Sequence, residues 1–144
     1  MKLSTRTRYA MRAILEMADN YGKGPLQTRL IANQQDISVK YLEQIMAALK
    51  SAGLVKSQRG VKGGYILSKP PDNIKISEIF DVFEGPVTTV ECVSNENYCK
   101  KAADCIARQV WSEVQSAIKN VLKSMTLQDA LDKAKKGGLA NYQI

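Results

Sequence analysis

Three cysteines, Cys92, Cys99 and Cys105, fall within 14 residues of a 144-residue chain that contains no histidine. Six residues separate the first pair and five the second. The intervening residues, Val93-Ser94-Asn95-Glu96-Asn97-Tyr98 and Lys100-Lys101-Ala102-Ala103-Asp104, are mostly polar and show no periodic apolar face. Burial as core filler is therefore a poor account of these thiols. Three soft thiolates in one loop suit a metal centre better. Structural zinc takes four protein ligands, commonly from two-residue knuckles, and neither a knuckle nor a fourth Cys or His is present. Iron–sulfur clusters accept wider spacings and leave an iron for another ligand. A 4Fe-4S cluster on Cys92, Cys99 and Cys105 is the preferred reading and a 2Fe-2S cluster the second. Redox sensing by the bare thiols, with Lys100 and Lys101 beside Cys99, is the third.

The missing imidazole also bounds the function class. It removes the Ser-His-Asp and Cys-His nucleophiles, the histidine general base, and every zinc site that draws on histidine ligands. The chain reads as a non-enzyme. The N-terminus, Met1-Lys2-Leu3-Ser4-Thr5-Arg6, has no apolar leader segment, and no apolar stretch reaches the 18 or so residues a membrane span needs. We expect a soluble, cytoplasmic protein with no membrane partner and with reduced thiols.

Charge divides the chain. Of 21 Lys and Arg against 14 Asp and Glu, positions 1–69 hold 12 basic and 4 acidic residues, and positions 70–144 hold 9 and 10. The excess of +8 in the first half points to a polyanion-binding module. Lys69-Pro70-Pro71-Asp72-Asn73 marks the seam, since consecutive prolines continue neither a helix nor a central strand. We expect a reading domain over 1–69 and a cluster-binding and dimerisation half over 70–144.

Periodicity supplies the elements. Met11, Ile14, Leu15 and Ala18 predict an amphipathic helix from about Thr7 to Tyr21. Thr28 is placed as the cap of a short helix to Gln34, and Ser38 as the cap of another whose stripe is Leu42, Ile45, Met46 and Leu49, stopped by Gly53. Leu54-Val55-Lys56-Ser57-Gln58 and Gly64-Tyr65-Ile66-Leu67-Ser68 read as a hairpin joined by Arg59-Gly60-Val61-Lys62-Gly63. Ser77 is placed as the cap of a helix to Glu84. Val110, Trp111, Val114, Ile118, Val121, Leu122 and Met125 keep helical spacing from Ile106 to Met125, the longest element and the natural dimer seam. Thr126-Leu127-Gln128-Asp129 opens a final helix that ends at Gly137-Gly138, with a loosely held tail beyond.

Helix, helix, turn, helix and hairpin is the order of a winged helix-turn-helix, mostly α with a small β wing. Lys40, Tyr41, Glu43 and Gln44 occupy the N-terminal, non-core positions of the third helix, where base edges are read in a major groove. Arg59 and Lys62 sit among glycines at the hairpin tip, where a cationic backbone approaches phosphates or a minor groove. Arg6 and Arg8 add phosphate contacts at the start of the first helix.

These residues resemble a known family, the bacterial winged-helix regulators typified by IscR, NsrR and RirA. The likeness runs through Met1-Lys2-Leu3-Ser4 and Arg8-Tyr9-Ala10, Ser38-Val39-Lys40-Tyr41-Leu42-Glu43-Gln44, Gly53-Leu54-Val55, Arg59-Gly60, Gly63-Gly64-Tyr65, Glu84-Gly85-Pro86, the three cysteines, Trp111 and Thr126-Leu127. It implies a homodimer on a partly palindromic double-stranded DNA operator. By similarity Tyr41, Glu43 and Gln44 read bases, Arg59 and Gly60 meet the minor groove, and Cys92, Cys99 and Cys105 hold the cluster. In IscR-like members a histidine three positions after the last cysteine completes a 2Fe-2S site; Arg108 stands there in this chain. In some NsrR-like members an N-terminal aspartate serves as fourth ligand; the matching position is Arg8. That leaves a RirA-like cluster with an exposed or exogenously ligated iron, or a carboxylate from Glu91, Glu96 or Asp104.

The expectation is a transcription regulator, a repressor, that senses iron or iron–sulfur status. The alternatives are a cluster-free CymR-like repressor of sulfur metabolism and a nitric-oxide or redox sensor of the NsrR type. From another class comes an iron–sulfur electron carrier, against which the basic first half weighs.

Overall fold

Ser4 begins the folded chain. Its side chain accepts the Thr7 N–H at 3.1 Å, which satisfies an otherwise orphaned donor and starts helix α1, Thr5–Asp19. The computed structural model describes residues 1–137, so the expected loose tail lies outside the described residues. Helices α2 (Thr28–Gln35) and α3 (Val39–Ser51) follow, then strands β1 (Val55–Gln58) and β2 (Gly64–Leu67). After them come α4 (Ile76–Glu84), the single turn α5 (Glu91–Ser94), α6 (Ile106–Ser124) and α7 (Leu127–Lys136). The mostly helical chain with one two-stranded hairpin is a winged helix-turn-helix, as its pattern predicts.

Two helix starts differ from expectation for the same reason. Leu26 pairs with Tyr65 of β2 through hydrogen bonds of 2.9 and 2.8 Å, which holds the chain extended up to Gln27. Gln27 is thus the cap position of α2, and Thr28 is its first helical residue. Likewise Lys75 bridges to Thr126, so α4 opens at Ile76 with the Glu78 carboxylate accepting the Lys75 N–H at 2.8 Å, and Ser77 lies inside the helix. Ser38 does cap α3, accepting the Tyr41 N–H at 3.2 Å, and Thr126 with Asp129 forms the expected reciprocal cap of α7.

The α3 stripe of Leu42, Ile45, Met46 and Leu49 is fully buried, and each such side chain contributes about 1.5–3 kcal/mol on leaving water. It packs with Ala10, Ala13 and Ile14 of α1 and with Ile31 and Ala32 of α2. The same core takes in Ile74, Ile76 and Ile79 across the Pro70-Pro71 seam, and Leu127 and Leu131 of α7. The seam itself is a single 3-10 turn, Pro71–Asn73, so charge changes there while the core runs on. Among the described residues no helix is long and apolar enough to cross a membrane.

Candidate functional site

The link from α2 to α3 is short. Asp36 takes a left-handed conformation, φ 54° and ψ 48°, and Ile37 buries its side chain while its N–H returns to the Ala32 carbonyl at 2.9 Å. The turn swings α3 across the bundle so that its inner stripe is sealed and Lys40, Glu43 and Gln44 stand exposed on the outer face. Ser38 is exposed at the same end. Tyr41 is half-buried, its ring meeting Tyr9 edge-on at 5.9 Å between centroids.

The hairpin projects from the end of α3. Val55 pairs with Leu67 at its base and Gln58 with Gly64 near the tip. Arg59, Gly60, Val61 and Lys62 are all exposed. Arg6 and Arg8 are exposed at the start of α1, where Arg8 donates to the Thr5 hydroxyl at 3.0 Å and the Arg6 guanidinium lies 5.5 Å from the Phe83 ring centroid. Cations at this distance from an aromatic face are held without losing their charge.

Two polar groupings that periodicity does not mark fix this surface. Gln35, almost fully buried at the end of α2, accepts from Arg12 Nε through its side chain at 2.9 Å and from the same guanidinium through its carbonyl at 2.6 Å, and donates to Glu16 at 2.9 Å. Arg12 also lies 5.5 Å from the Tyr9 ring. The turn is thereby bolted to α1. The second grouping is at Glu84, the last residue of α4, whose carboxylate accepts from the Thr7 hydroxyl and from the Ser4 N–H, the latter at 2.8 Å. These donors, the Thr7 hydroxyl first and then Ser4, hold the Glu84 carboxyl below its ordinary value of 4.5. Glu84 joins the cationic start of α1 to the segment that leads into the cysteines.

That segment is lightly held. Thr89 donates its N–H to the buried Gln115 of α6 at 3.0 Å, and Arg108 donates from Nε to the Cys92 carbonyl at 2.7 Å while its other end faces Glu96 at 3.6 Å. Cys92 lies on α5, Cys99 is exposed in the loop, and Cys105 is the residue that precedes α6; none is in a disulfide. Among the described residues no three Cys, Asp or Glu side chains stand close enough to share a metal ion. The candidate fourth ligands Glu91, Glu96 and Asp104 therefore join no such group either. The donor types suit an iron–sulfur cluster, while the three thiols stand apart on separate short turns. Arg108, in the place of the IscR-like histidine, ties the loop through a backbone carbonyl instead.

A family model described as "Rrf2: Iron-dependent Transcriptional regulator" matches residues 3–133. The chain belongs to the Rrf2 family. CymR of Bacillus subtilis strain 168 is 41% identical over 129 residues, covering 90% of this chain and 88% of that protein. The structure of B. subtilis CymR, described as the global cysteine regulator, superposes with a TM-score of 0.81 at 38% identity, covering 92% of this chain and 98% of the other. That of T. potens IscR gives 0.78 at 37% identity, covering 99% and 94%. This Rrf2 chain is accordingly a transcription regulator with a winged-helix fold shared by CymR and IscR.

Proposed function

We propose that this Rrf2 protein is a homodimeric repressor that reads a partly palindromic operator with α3 and the hairpin, and receives its signal at the cysteine loop. The observation that carries the DNA reading is the shared exposure of Lys40, Glu43 and Gln44 on α3 and of Arg59, Gly60 and Lys62 at the hairpin tip. Side chains near the start of such a helix meet base edges, while cations on a wing hold phosphates and the minor groove. Arg6 and Arg8 extend the cationic surface. The dimer is supported by α6, where Ile106, Val110, Trp111, Val114 and Val121 form an exposed apolar stripe along a 19-residue helix. A second copy brings two recognition helices to successive major grooves.

For the signal, the support for an iron–sulfur cluster on Cys92, Cys99 and Cys105, 4Fe-4S before 2Fe-2S, is three free thiols within 14 residues of sequence; holding it requires the lightly held segment to draw them together. When bound, such a cluster supplies iron and sulfide whose loss or oxidation reports iron status, nitric oxide or oxidants. This chain's residues supply the connection: Cys92 to α6 through Arg108, Thr89 to α6 through Gln115, and Glu84 to the start of α1. A second reading, a cluster-free CymR-like repressor of sulfur metabolism, is favoured by the likeness to B. subtilis CymR. Anaerobic purification separates the two. The first expects a coloured protein with iron and sulfide in near-equal amounts that vanish when all three cysteines are Ala. A colourless, iron-free protein with full operator affinity carries the second.

A further inference from the structure

The hairpin tip carries an apolar side chain that nothing among the described residues covers. Val61 is 98% exposed, more than any other large hydrophobic side chain there. The turn enforces this. The Gly63 N–H donates to the Gly60 carbonyl at 3.0 Å, which makes Val61 and Lys62 the two corner residues of a four-residue turn. Gly60 takes a φ of +128°, strained for any side chain, and a Cβ on Gly63 would stand 2.3 Å from the Gln58 carbonyl oxygen, so both positions call for glycine if the turn is to keep this shape. Valine is stiff at χ1. Its two methyl groups are thus held outward at little entropic cost, between the exposed cations Arg59 and Lys62.

A lone exposed valine needs no explanation on an ordinary surface. This one sits where the cations first meet a polyanion. In the DNA reading proposed above, α3 lies in a major groove and the wing is the element that meets the flanking backbone and minor groove. Phosphates offer valine no apolar contact, whereas the sugar walls and floor of the minor groove do. At A·T pairs the floor presents only acceptors; at G·C pairs the guanine 2-amino group projects into the same space as a donor. Valine has no acceptor to offer it, and a donor covered without a partner loses its hydration. We propose that Val61 is a specificity-determining residue that seats in the minor groove beside each half-site and rejects G·C there through the guanine 2-amino group.

This inference rests on the DNA reading above and adds the base preference of the wing. The test starts from a duplex selected by the full chain from a random pool, titrated by fluorescence anisotropy. Each A·T pair flanking the half-sites is replaced in turn by G·C and by inosine·cytosine, which lacks the 2-amino group. At one flanking step G·C should weaken wild-type binding roughly tenfold, the typical effect of one unfavourable base pair. Inosine·cytosine should restore it. Val61→Ala, at a turn corner with no packing to lose, should bind the A·T duplex nearly as well as wild type while no longer discriminating. Val61→Asn, which offers an acceptor, should tolerate G·C. Discrimination that survives in Val61→Ala, inosine·cytosine that behaves as G·C, or no flanking preference in wild type overturns the proposal. A wild-type chain that selects no duplex at low salt overturns the DNA reading itself, a separate and recognisable outcome.

Discussion

In α3 every inward side chain of the stripe is sealed from water, whereas between Thr88 and Cys105 only Ala102 is buried. The outer face of α3 is aimed by packing: Leu42, Ile45, Met46 and Leu49 lock the helix, and Gln35 with Arg12 locks the turn before it. The cysteine loop hangs on a few hydrogen bonds, from Thr89 to Gln115 and from Arg108 to the Cys92 carbonyl. A segment with few buried apolar contacts opens at low free-energy cost, as signal-receiving elements must. A reading face that has to match a rigid duplex is better fixed in advance. The contrast in packing is the one that the proposed division between a reading face and a signal-receiving loop requires.

Substitutions that break the contrast should differ most at these two places. Leu42→Ala removes a fully buried side chain and should cost about 2–5 kcal/mol in urea unfolding, with loss of operator binding. Cys99→Ala, on the exposed loop, should stay within about 0.5 kcal/mol of wild type in the same assay. Equal losses at both positions would erase the distinction. Arg59→Ala should leave stability unchanged and sharpens the DNA side: affinity should fall across all sequences, and the slope of log affinity against log salt should shrink by about 1.

Glu84 probes the joint between the regions and gives the smallest effect. Its folded carboxyl titrates below 4.5, held there by the Thr7 hydroxyl and then Ser4. The stabilisation is therefore present above the unfolded value and is lost as pH falls through the folded one. Glu84→Gln should lower the urea midpoint slightly at neutral pH, and its gap from wild type should close below about pH 4.5. A gap that widens in acid would show that the carboxylate is not the stabilising form.

Elements with local signals were legible in the sequence. The 3.6-residue spacing of Leu42, Ile45, Met46 and Leu49, the Ser38 cap, and glycines around Arg59 and Lys62 all act within a few residues, and the structure carries them as read. Helix starts governed by distant pairing were not: Leu26 with Tyr65 and Lys75 with Thr126 each displaced a cap that Thr28 and Ser77 offered locally. The Arg12, Gln35 and Glu16 grouping spans up to 23 residues and the Glu84 joint to Ser4 spans 80. Nothing in the periodicity marks either, since a polar residue meant for a buried partner looks like one meant for water. The cysteine spacing was plain in the sequence; spacing alone does not define where three thiols on α5, the loop after it and the start of α6 come to rest.

The most direct test of the account is operator affinity measured with the cysteine loop in two states. The wild-type chain and a variant with Cys92, Cys99 and Cys105 all Ala would be titrated anaerobically against a selected duplex, before and after iron and sulfide reconstitution. The account predicts that reconstitution changes wild-type affinity by roughly 5- to 150-fold, the usual range of a coupling between two sites, and leaves the triple variant unchanged. Equal wild-type affinities in the two states would contradict it.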